Sequence, residues 1–179
     1  MKYVIFYSTK GGAGKSTFAK LSHQVLALLE RRYVIGEDLD PQQHYADFLK
    51  SNEALVATSD NAEFFIYDTQ GAHTKTNAEL MEACAGIDSV IIVPVRPSDD
   101  DIKEAKRISK RIKENNLTDK TVFVLNGCHH SKDYSKYINE LKQLGNVAKK
   151  RINNRTAFAE SPTRKELTDF SQLLHEVIL

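Results

Sequence analysis

The sequence predicts a single α/β domain over residues 1–179, built on a mostly parallel, twisted sheet with helices on both faces. Apolar runs of strand length alternate with amphipathic helical patterns almost throughout the chain. The strand-like runs are apolar on both faces, which is typical of a sheet covered on both sides. A length of 179 residues suits one domain with one core. The composition, 41% hydrophobic and 27% charged, is that of ordinary globular domains.

Each element follows from its local pattern. Short runs rich in Val, Ile, Phe and Tyr predict strands at 2–7, 33–36, 63–67, 89–95 and 121–125. Apolar residues at helical spacing predict helices at 15–31, 73–85, 99–115, 133–144 and 163–178. Strands that alternate with helices in this way predict right-handed crossovers between parallel strands.

Several classes of protein are excluded by what the sequence lacks. No apolar run approaches the roughly 18 residues that a spanning helix needs, and the N-terminus has no signal-peptide cleavage site, so we expect a cytoplasmic protein. Cys84 and Cys128 lie far apart without a C-x-x-C motif, which favours buried thiols over a disulfide or a zinc site. The histidines lack metal-ligand spacing, and we expect all six at the surface: His23, His44, His73, His129, His130 and His175.

Charge is distributed unevenly along the chain. The net charge is +5 over 1–36, −11 over 37–101 and +7 over 102–179, for a total of +1, which predicts a polarised surface. The basic residues of 102–120 suit either a solvated helix face or an anion-binding surface. The basic cluster at 149–165 has Glu160 as its one acidic residue, so little neutralises its field.

The first predicted strand is followed by Ser8-Thr9-Lys10-Gly11-Gly12-Ala13-Gly14-Lys15-Ser16-Thr17 and then by a helix. Glycines let successive backbone N–H groups turn toward one anion, and the helix N-terminus adds partial positive charge. The segment therefore predicts a phosphate-binding loop, in which Lys15 reaches the β- and γ-phosphates and Ser16 ligates Mg²⁺. The usual pattern G-x-x-x-x-G-K-[ST] fails at one position, because residue 9 is threonine.

Residues 10–17 match the variant K-G-G-x-G-K-[ST] instead, and they resemble the signature of the ParA/MinD family of dimeric ATPases. The resemblance implies the P-loop NTPase fold of the deviant Walker A class, with ATP and Mg²⁺ as ligands. It implies that Lys10 crosses a homodimer interface to the other subunit's nucleotide, so that Lys10 and Lys15 both serve hydrolysis. The nucleotide-binding residues that it implies in this loop are Gly11, Gly12, Ala13, Gly14, Lys15, Ser16 and Thr17.

Acidic residues end the next two predicted strands. Asp38 and Asp40 stand two apart, so on an extended segment their carboxylates point to the same side, where they can hold Mg²⁺ through water and orient an attacking water. Acids before a proline are also ordinary turn formers. The string 38–42 resembles the switch I region of ParA proteins, which implies that Asp40 serves hydrolysis and that Asp38 lies nearer the metal.

The run Phe64-Phe65-Ile66-Tyr67-Asp68 predicts a Walker B element, whose Asp68 carboxylate binds Mg²⁺. The expected metal-binding residues are therefore Ser16, Asp38 and Asp68. Gln70 replaces a proline common in the family, which is a departure in the switch II region. Asn126 ends the fifth predicted strand, and its amide suits an adenine edge, as the resemblance implies, or a simple turn.

The resemblance spans most of the chain, because 90–95 resembles the family's next strand and 151–158 its purine-side segment. It implies a small plasmid-partition ParA, shortened in 43–62: a switch whose ATP-bound dimer binds DNA non-specifically on the nucleoid. Hydrolysis is then slow and stimulated by a centromere-binding adaptor protein. The candidate DNA-binding residues are Lys149, Lys150, Arg151, Arg155, Arg164 and Lys165, although Arg151 and Arg155 suit the nucleotide or the dimer interface as well.

Two other functions remain open at this stage. A MinD-like membrane-cycling ATPase shares the nucleotide motifs but needs a terminal amphipathic helix with basic residues beside its apolar face. The stretch 167–179 carries Asp169 and Glu176 without a lysine or arginine, which favours core packing over membrane binding. A metabolic or metal-cluster relative, such as dethiobiotin synthetase or the nitrogenase iron protein, disagrees with Lys10 and with the positions of Cys84 and Cys128.

Overall fold

A computed structural model describes residues 1–154 and 161–179 of the chain. The strands are β1 (Lys2–Phe6), β2 (Val34–Asp38), β3 (Phe64–Asp68), β4 (Ser89–Val95), β5 (Thr121–Cys128), β6 (Asn146–Val147) and β7 (Ile152–Asn153). They form a parallel sheet in the order β2-β3-β1-β4-β5-β6, and β7 pairs with β5 beyond β6. The predicted fold class is confirmed.

Six α-helices cover this sheet in the described residues: α1 (Lys15–Gln24), α2 (His44–Ser51), α3 (Lys75–Cys84), α4 (Asp99–Glu114), α5 (Ser135–Lys142) and α6 (Arg164–Val177). A π-helical turn, Val25–Leu29, extends α1. Local capping explains where the best-defined helices begin. Ser98 caps α4 ahead of three aspartates, and Thr163 and Glu166 form a capping box at α6.

The alternation of side chains along the strands divides the core into two layers. Val4 and Phe6 of β1 point toward α1, α2 and α6, whereas Ile5 points toward α3, α4 and α5. β4 is buried over its whole length because it lies in the middle of the sheet, with helices on both sides. The expectation of a sheet covered on both faces is therefore confirmed.

The apolar side of α6 belongs to the first of these layers. Leu167, Phe170, Leu173 and Leu174 are buried there against α1 and its π-helical turn. Within the described residues, no helix has the length and apolar character needed to cross a membrane. Core packing thus accounts for the apolar face that a membrane-binding helix would have to expose.

The sequence missed α2 and the two short strands at the edge of the sheet. The N-cap residue of α2 is Gln43, which has a positive φ of 57° and makes no capping hydrogen bond through its side chain. Asp38 supplies the missing acceptor from β2, since its Oδ2 accepts the backbone N–H groups of Tyr45 and Ala46. A cap from seven residues away leaves no local sequence signature.

His23 corrects the expectation that every histidine lies at the surface. It is fully buried on α1, with Nδ1 2.8 Å from the Tyr45 hydroxyl and Nε2 3.0 Å from the Leu55 carbonyl oxygen. Tyr45 in turn fills the space above Gly36, where any Cβ would collide with its hydroxyl. Burial lowers the pKa of His23, against a smaller opposite effect of the Leu55 carbonyl.

This burial predicts a pH dependence of stability. Below about pH 6.5, the unfolded histidine takes up a proton that the folded ring resists, so the contribution of His23 to the free energy of unfolding should fall as the pH falls, by at most about 1.4 kcal/mol per unit. Because burial raises the pKa of Asp68 to about 7 and so acts with the opposite sign in this range, the measurement is the difference in slope between wild type and His23→Gln, from urea unfolding between about pH 7.5 and about pH 5.5. His23→Gln should remove the contribution of His23, whereas the exposed His44→Gln should keep the wild-type slope. A slope equal to wild type in His23→Gln would contradict the assignment.

Candidate functional site

The loop between β1 and α1 lies at the carboxyl edge of the sheet, at the point where the chain order reverses. β1 is flanked there by β3 on one side and β4 on the other, which is where parallel α/β sheets bind ligands. Gly12 and Gly14 both have positive φ, 73° and 102°, and Gly14 is the N-cap of α1. This conformation exposes the first backbone N–H groups of α1 to an anion.

The loop is held against β5 by Asn126. The Asn126 amide donates to the Ala13 carbonyl oxygen at 2.9 Å and accepts from the Gly127 N–H at 2.8 Å. Asn126 lies within β5 and not at its end, because Ile152 of β7 pairs with it. Its base-reading role stays a prediction, since the amide group already serves to position the loop.

Lys15 lies under the loop, facing the acidic ends of β2 and β3. It is 5% exposed, and Asp38 and Asp68 are direct neighbours in the register of the two strands. Burial lowers the pKa of Lys15, while the carboxylates of Asp68, Asp40 and Asp38 act in the opposite direction. The structure therefore brings the predicted phosphate-contacting lysine and the three predicted aspartates together.

Asp68 is the most unusual of these residues. It is fully buried, and neither of its carboxylate oxygens has a hydrogen-bond partner of good geometry in the described structure. Burial raises its pKa to about 7, helped by Asp38 and Asp40, whereas the nearby Ser16 hydroxyl and Lys15 lower it. A buried carboxylate without a partner beside a hydroxyl suits a cation such as Mg²⁺.

The two acids of the switch I string have different hydrogen-bond partners. Asp38 accepts three backbone N–H groups, from Asp40 at 2.9 Å, Tyr45 at 2.8 Å and Ala46 at 3.0 Å. Leu39 still pairs with β3 through the Asp68 carbonyl oxygen, and the chain bends at Asp40. Asp38 consequently anchors the turn and α2, whereas Asp40 accepts one N–H, from Gln42.

Lys10 lies on the outer side of the loop. Its ammonium forms an ion pair with Asp101 of α4 at 3.0 Å, and 47% of the side chain remains exposed. Asp101 is nearly buried and also accepts the Ser98 hydroxyl. Lys10 is thus held at the start of α4 by Asp101.

A cavity of about 370 Å³ opens beside the loop. Its described lining consists of Gly14, Thr17, Phe18, Arg96, Pro97, Asn126, Gly127, Ile152, Asn153 and Asn154. The sequence located part of this wall in the resemblance of 151–158, of which 155–158 lie outside the described residues. The sequence analysis missed Arg96. The one feature of the sequence that points to Arg96 is its position directly after β4, the neighbour of β1 in the sheet.

The basic residues outside the loop fall into two groups. On α4, Lys103, Lys106, Arg107 and Lys110 pair with Asp100, Glu140, Glu104 and Glu114, which supports the interpretation of a solvated face. Among the candidate DNA-binding residues, Lys150 pairs with Asp169 at 2.5 Å and with Gln172. Lys149, Arg151, Arg164 and Lys165 are exposed, and Arg155 lies outside the described residues.

Comparison with known proteins identifies the family. The sequence profile of CbiA, the CobQ/CobB/MinD/ParA nucleotide binding domain, matches residues 4–168. The chain therefore belongs to this family of nucleotide-binding domains, and the ParA/MinD resemblance of the loop is confirmed. No curated protein sequence matches significantly.

Solved structures show the same fold at low sequence identity. One neighbour, described as a plasmid partition protein from Borrelia burgdorferi B31 bound to AMPPNP, has a TM-score of 0.74 and 13% identity over 97% of both chains. The MinD cell division protein of Aquifex aeolicus has a TM-score of 0.66 and 14% identity over 98% of this chain and 97% of that chain. A variant of McdA from Cyanothece, in complex with ATP, has a TM-score of 0.69 and 13% identity over 98% and 96%.

The backbone conformation and surroundings of Gly14 predict that a side chain at this position destabilises the protein. A Cβ on Gly14 would collide with the Asn126 amide, and the φ of 102° strains any other residue. Gly14→Ala should lower the free energy of unfolding, measured in urea without nucleotide, by about 1–3 kcal/mol. The matched control is Gly11→Ala, because a Cβ there meets nothing within 4 Å. Equal stability of the two variants would refute this account of the loop.

Proposed function

We propose that this protein is an ATP-dependent dimerising switch, which hydrolyses ATP slowly with Mg²⁺ and drives the partition of a plasmid or chromosome. The observation that carries the proposal is the pair formed by Lys15 and Asp68. A buried ammonium and a buried carboxylate without a hydrogen-bond partner interact electrostatically beside a phosphate-binding loop. Triphosphate oxygens and a cation would satisfy both groups.

Ser16 and Asp68 are the residues that would hold Mg²⁺, with Asp38 as their neighbour. No group of three or more His, Cys, Asp or Glu in the described residues can hold a metal alone, so phosphate oxygens would complete the ligands, as Mg²⁺ prefers. The ion would neutralise charge on the phosphates. Asp38 contributes chiefly by fixing the turn that presents Asp40.

Hydrolysis in this proposal depends on residues that hold the phosphates and a water. Lys15 stabilises the charge of the phosphates from below the loop, and Asp40 orients the attacking water. Asp40 lies on a turn in which its N–H donates to Asp38, its carbonyl oxygen accepts from Gln43 and its carboxylate accepts from Gln42. Since its carboxylate is already engaged in this turn, we expect slow turnover, which a partner protein would accelerate by reorienting Asp40.

Dimerisation would use the outer side of the loop. Lys10 is half-exposed beside the phosphate loop, so a small movement brings its ammonium to a second nucleotide across an interface. The ion pair with Asp101 has to break for that movement, and the phosphates of the facing subunit replace the lost charge. Nucleotide binding and dimerisation are thereby coupled, because ATP supplies contacts that only the closed dimer completes.

The exposed cations near β7 and at the start of α6 suit DNA binding without sequence preference. Lys149, Arg151, Arg164 and Lys165 can contact phosphates of the DNA backbone, and a dimer doubles their number. Lys150 is less suited to this role, because its ammonium already binds Asp169. DNA binding of this kind would place the ATP-bound protein on the nucleoid, with a centromere-binding adaptor as its stimulating partner.

A MinD-like membrane cycle is the second candidate, because a MinD protein is among the structural neighbours. The burial of the apolar side of α6 argues against it. Retention on vesicles of anionic phospholipid with ATP, in the absence of DNA, would favour this second candidate over the first.

The first prediction of the proposal concerns oligomeric state. With ATP and Mg²⁺ the 20.2 kDa chain should sediment as a dimer, and with ADP as a monomer. Lys15→Ala should remain monomeric with ATP, since the ammonium that binds the phosphates is lost. Lys20→Ala, on the same helix, should dimerise as wild type does. Dimers of Lys15→Ala with ATP would disprove the switch, as would a wild-type monomer at saturating ATP.

The second prediction concerns DNA. Lys149→Ala combined with Arg151→Ala should weaken binding of the ATP-bound protein to non-specific duplex DNA. The slope of log affinity against log salt should fall in magnitude by about 2 per protomer. The matched double variant Lys103→Ala and Lys110→Ala removes the same charge from α4, where both lysines are paired, and should leave the slope unchanged. Equal slopes in the two double variants would remove DNA binding from this surface.

A further inference from the structure

Arg96 occupies a position in the cavity that the proposed function has not yet used. It follows β4 directly, and its backbone is fixed by the Ser98 N–H, which donates to the Arg96 carbonyl oxygen at 2.8 Å. Ser98 is itself the N-cap of α4. The side chain of Arg96 therefore begins from a rigid turn.

This side chain extends across the cavity toward the loop. A Cβ built on Gly127 would lie 4.0 Å from the Arg96 Cγ, and one built on Gly12 would lie 4.0 Å from its Nη2. The guanidinium thus lies over Gly12, one of the glycines whose positive φ turns the loop around its anion. Both distances correspond to ordinary van der Waals contact, so the side chain of Arg96 lies close to both glycines.

Arg96 is exposed beside the loop. No carboxylate of the described residues forms an ion pair with it, although Lys10 on the same loop pairs with Asp101. The carboxylates of Asp68, Asp40 and Asp38 interact electrostatically with Lys15. The acids at the ends of β2 and β3 therefore suit a cation, whereas on the side of β4 the Asp101 carboxylate is neutralised by Lys10 and Arg96 is an exposed cation.

We infer that Arg96 contacts the phosphates of the bound nucleotide within its own subunit, on the side of the loop opposite to Lys15 and the cation site. A guanidinium donates several N–H groups in a plane and suits phosphate oxygens at this distance from the loop. This inference rests on the proposed function, since it needs a nucleotide at the loop, and it adds a residue to that site.

Nucleotide affinity without DNA tests it. Arg96→Gln should bind ADP with Mg²⁺ about tenfold more weakly than wild type in a fluorescent-nucleotide titration, because one charge-assisted contact is lost. Arg96→Lys should fall between the two, since it keeps the charge and loses the planar donors. Adenosine, which has no phosphates, should compete equally well in all three proteins.

The control for net charge is Lys113→Gln, which removes an exposed cation at the far end of α4 and should bind ADP as wild type does. Wild-type ADP affinity in Arg96→Gln would overturn the inference and leave the proposed function intact, provided that Lys15→Ala still loses ADP. An equal loss of adenosine and ADP in Arg96→Gln would also overturn it, because the contact would then be to the nucleoside. If wild type binds neither ADP nor ATP, the inference and the proposed function both fail.

Discussion

The confinement of Lys15 beneath the phosphate loop, opposite Asp68, is the interaction on which the rest of the site depends. Both side chains are removed from water, and burial works against the charged form of each. The fold nevertheless places them together, with Asp38 and Asp40 close by. A site that is this costly to keep without ligands is well suited to a polyanion that arrives with a cation.

The order of the strands explains how these groups meet. β1 carries the loop, its neighbour β3 ends at Asp68, Arg96 follows its other neighbour β4, and β5 supplies Asn126 from the next position. Each strand therefore brings one functional side chain to the same edge of the sheet. The helices pack the two layers of the core and keep that edge open.

The sequence predicted the parts of this arrangement that are encoded locally. A glycine-rich loop between a strand and a helix, an aspartate that ends an apolar strand and an amphipathic helix that begins near residue 163 are short-range patterns, and the structure contains each of them. It could not predict α2, whose N-terminus is capped by Asp38, or the burial of His23, which depends on Tyr45 and Leu55. It also missed Arg96, because only the order of the strands shows that residue 96 lies beside residue 12.

A crystal structure with a non-hydrolysable ATP analogue and Mn²⁺ tests the central claim most directly, because the anomalous signal of manganese locates the metal independently of the phosphates. We expect the metal beside Ser16 and Asp68 and the phosphates against Lys15, under the N–H groups of the loop. Phosphates bound away from Lys15, or manganese bound elsewhere while Asp68 stays without a partner, would contradict this account.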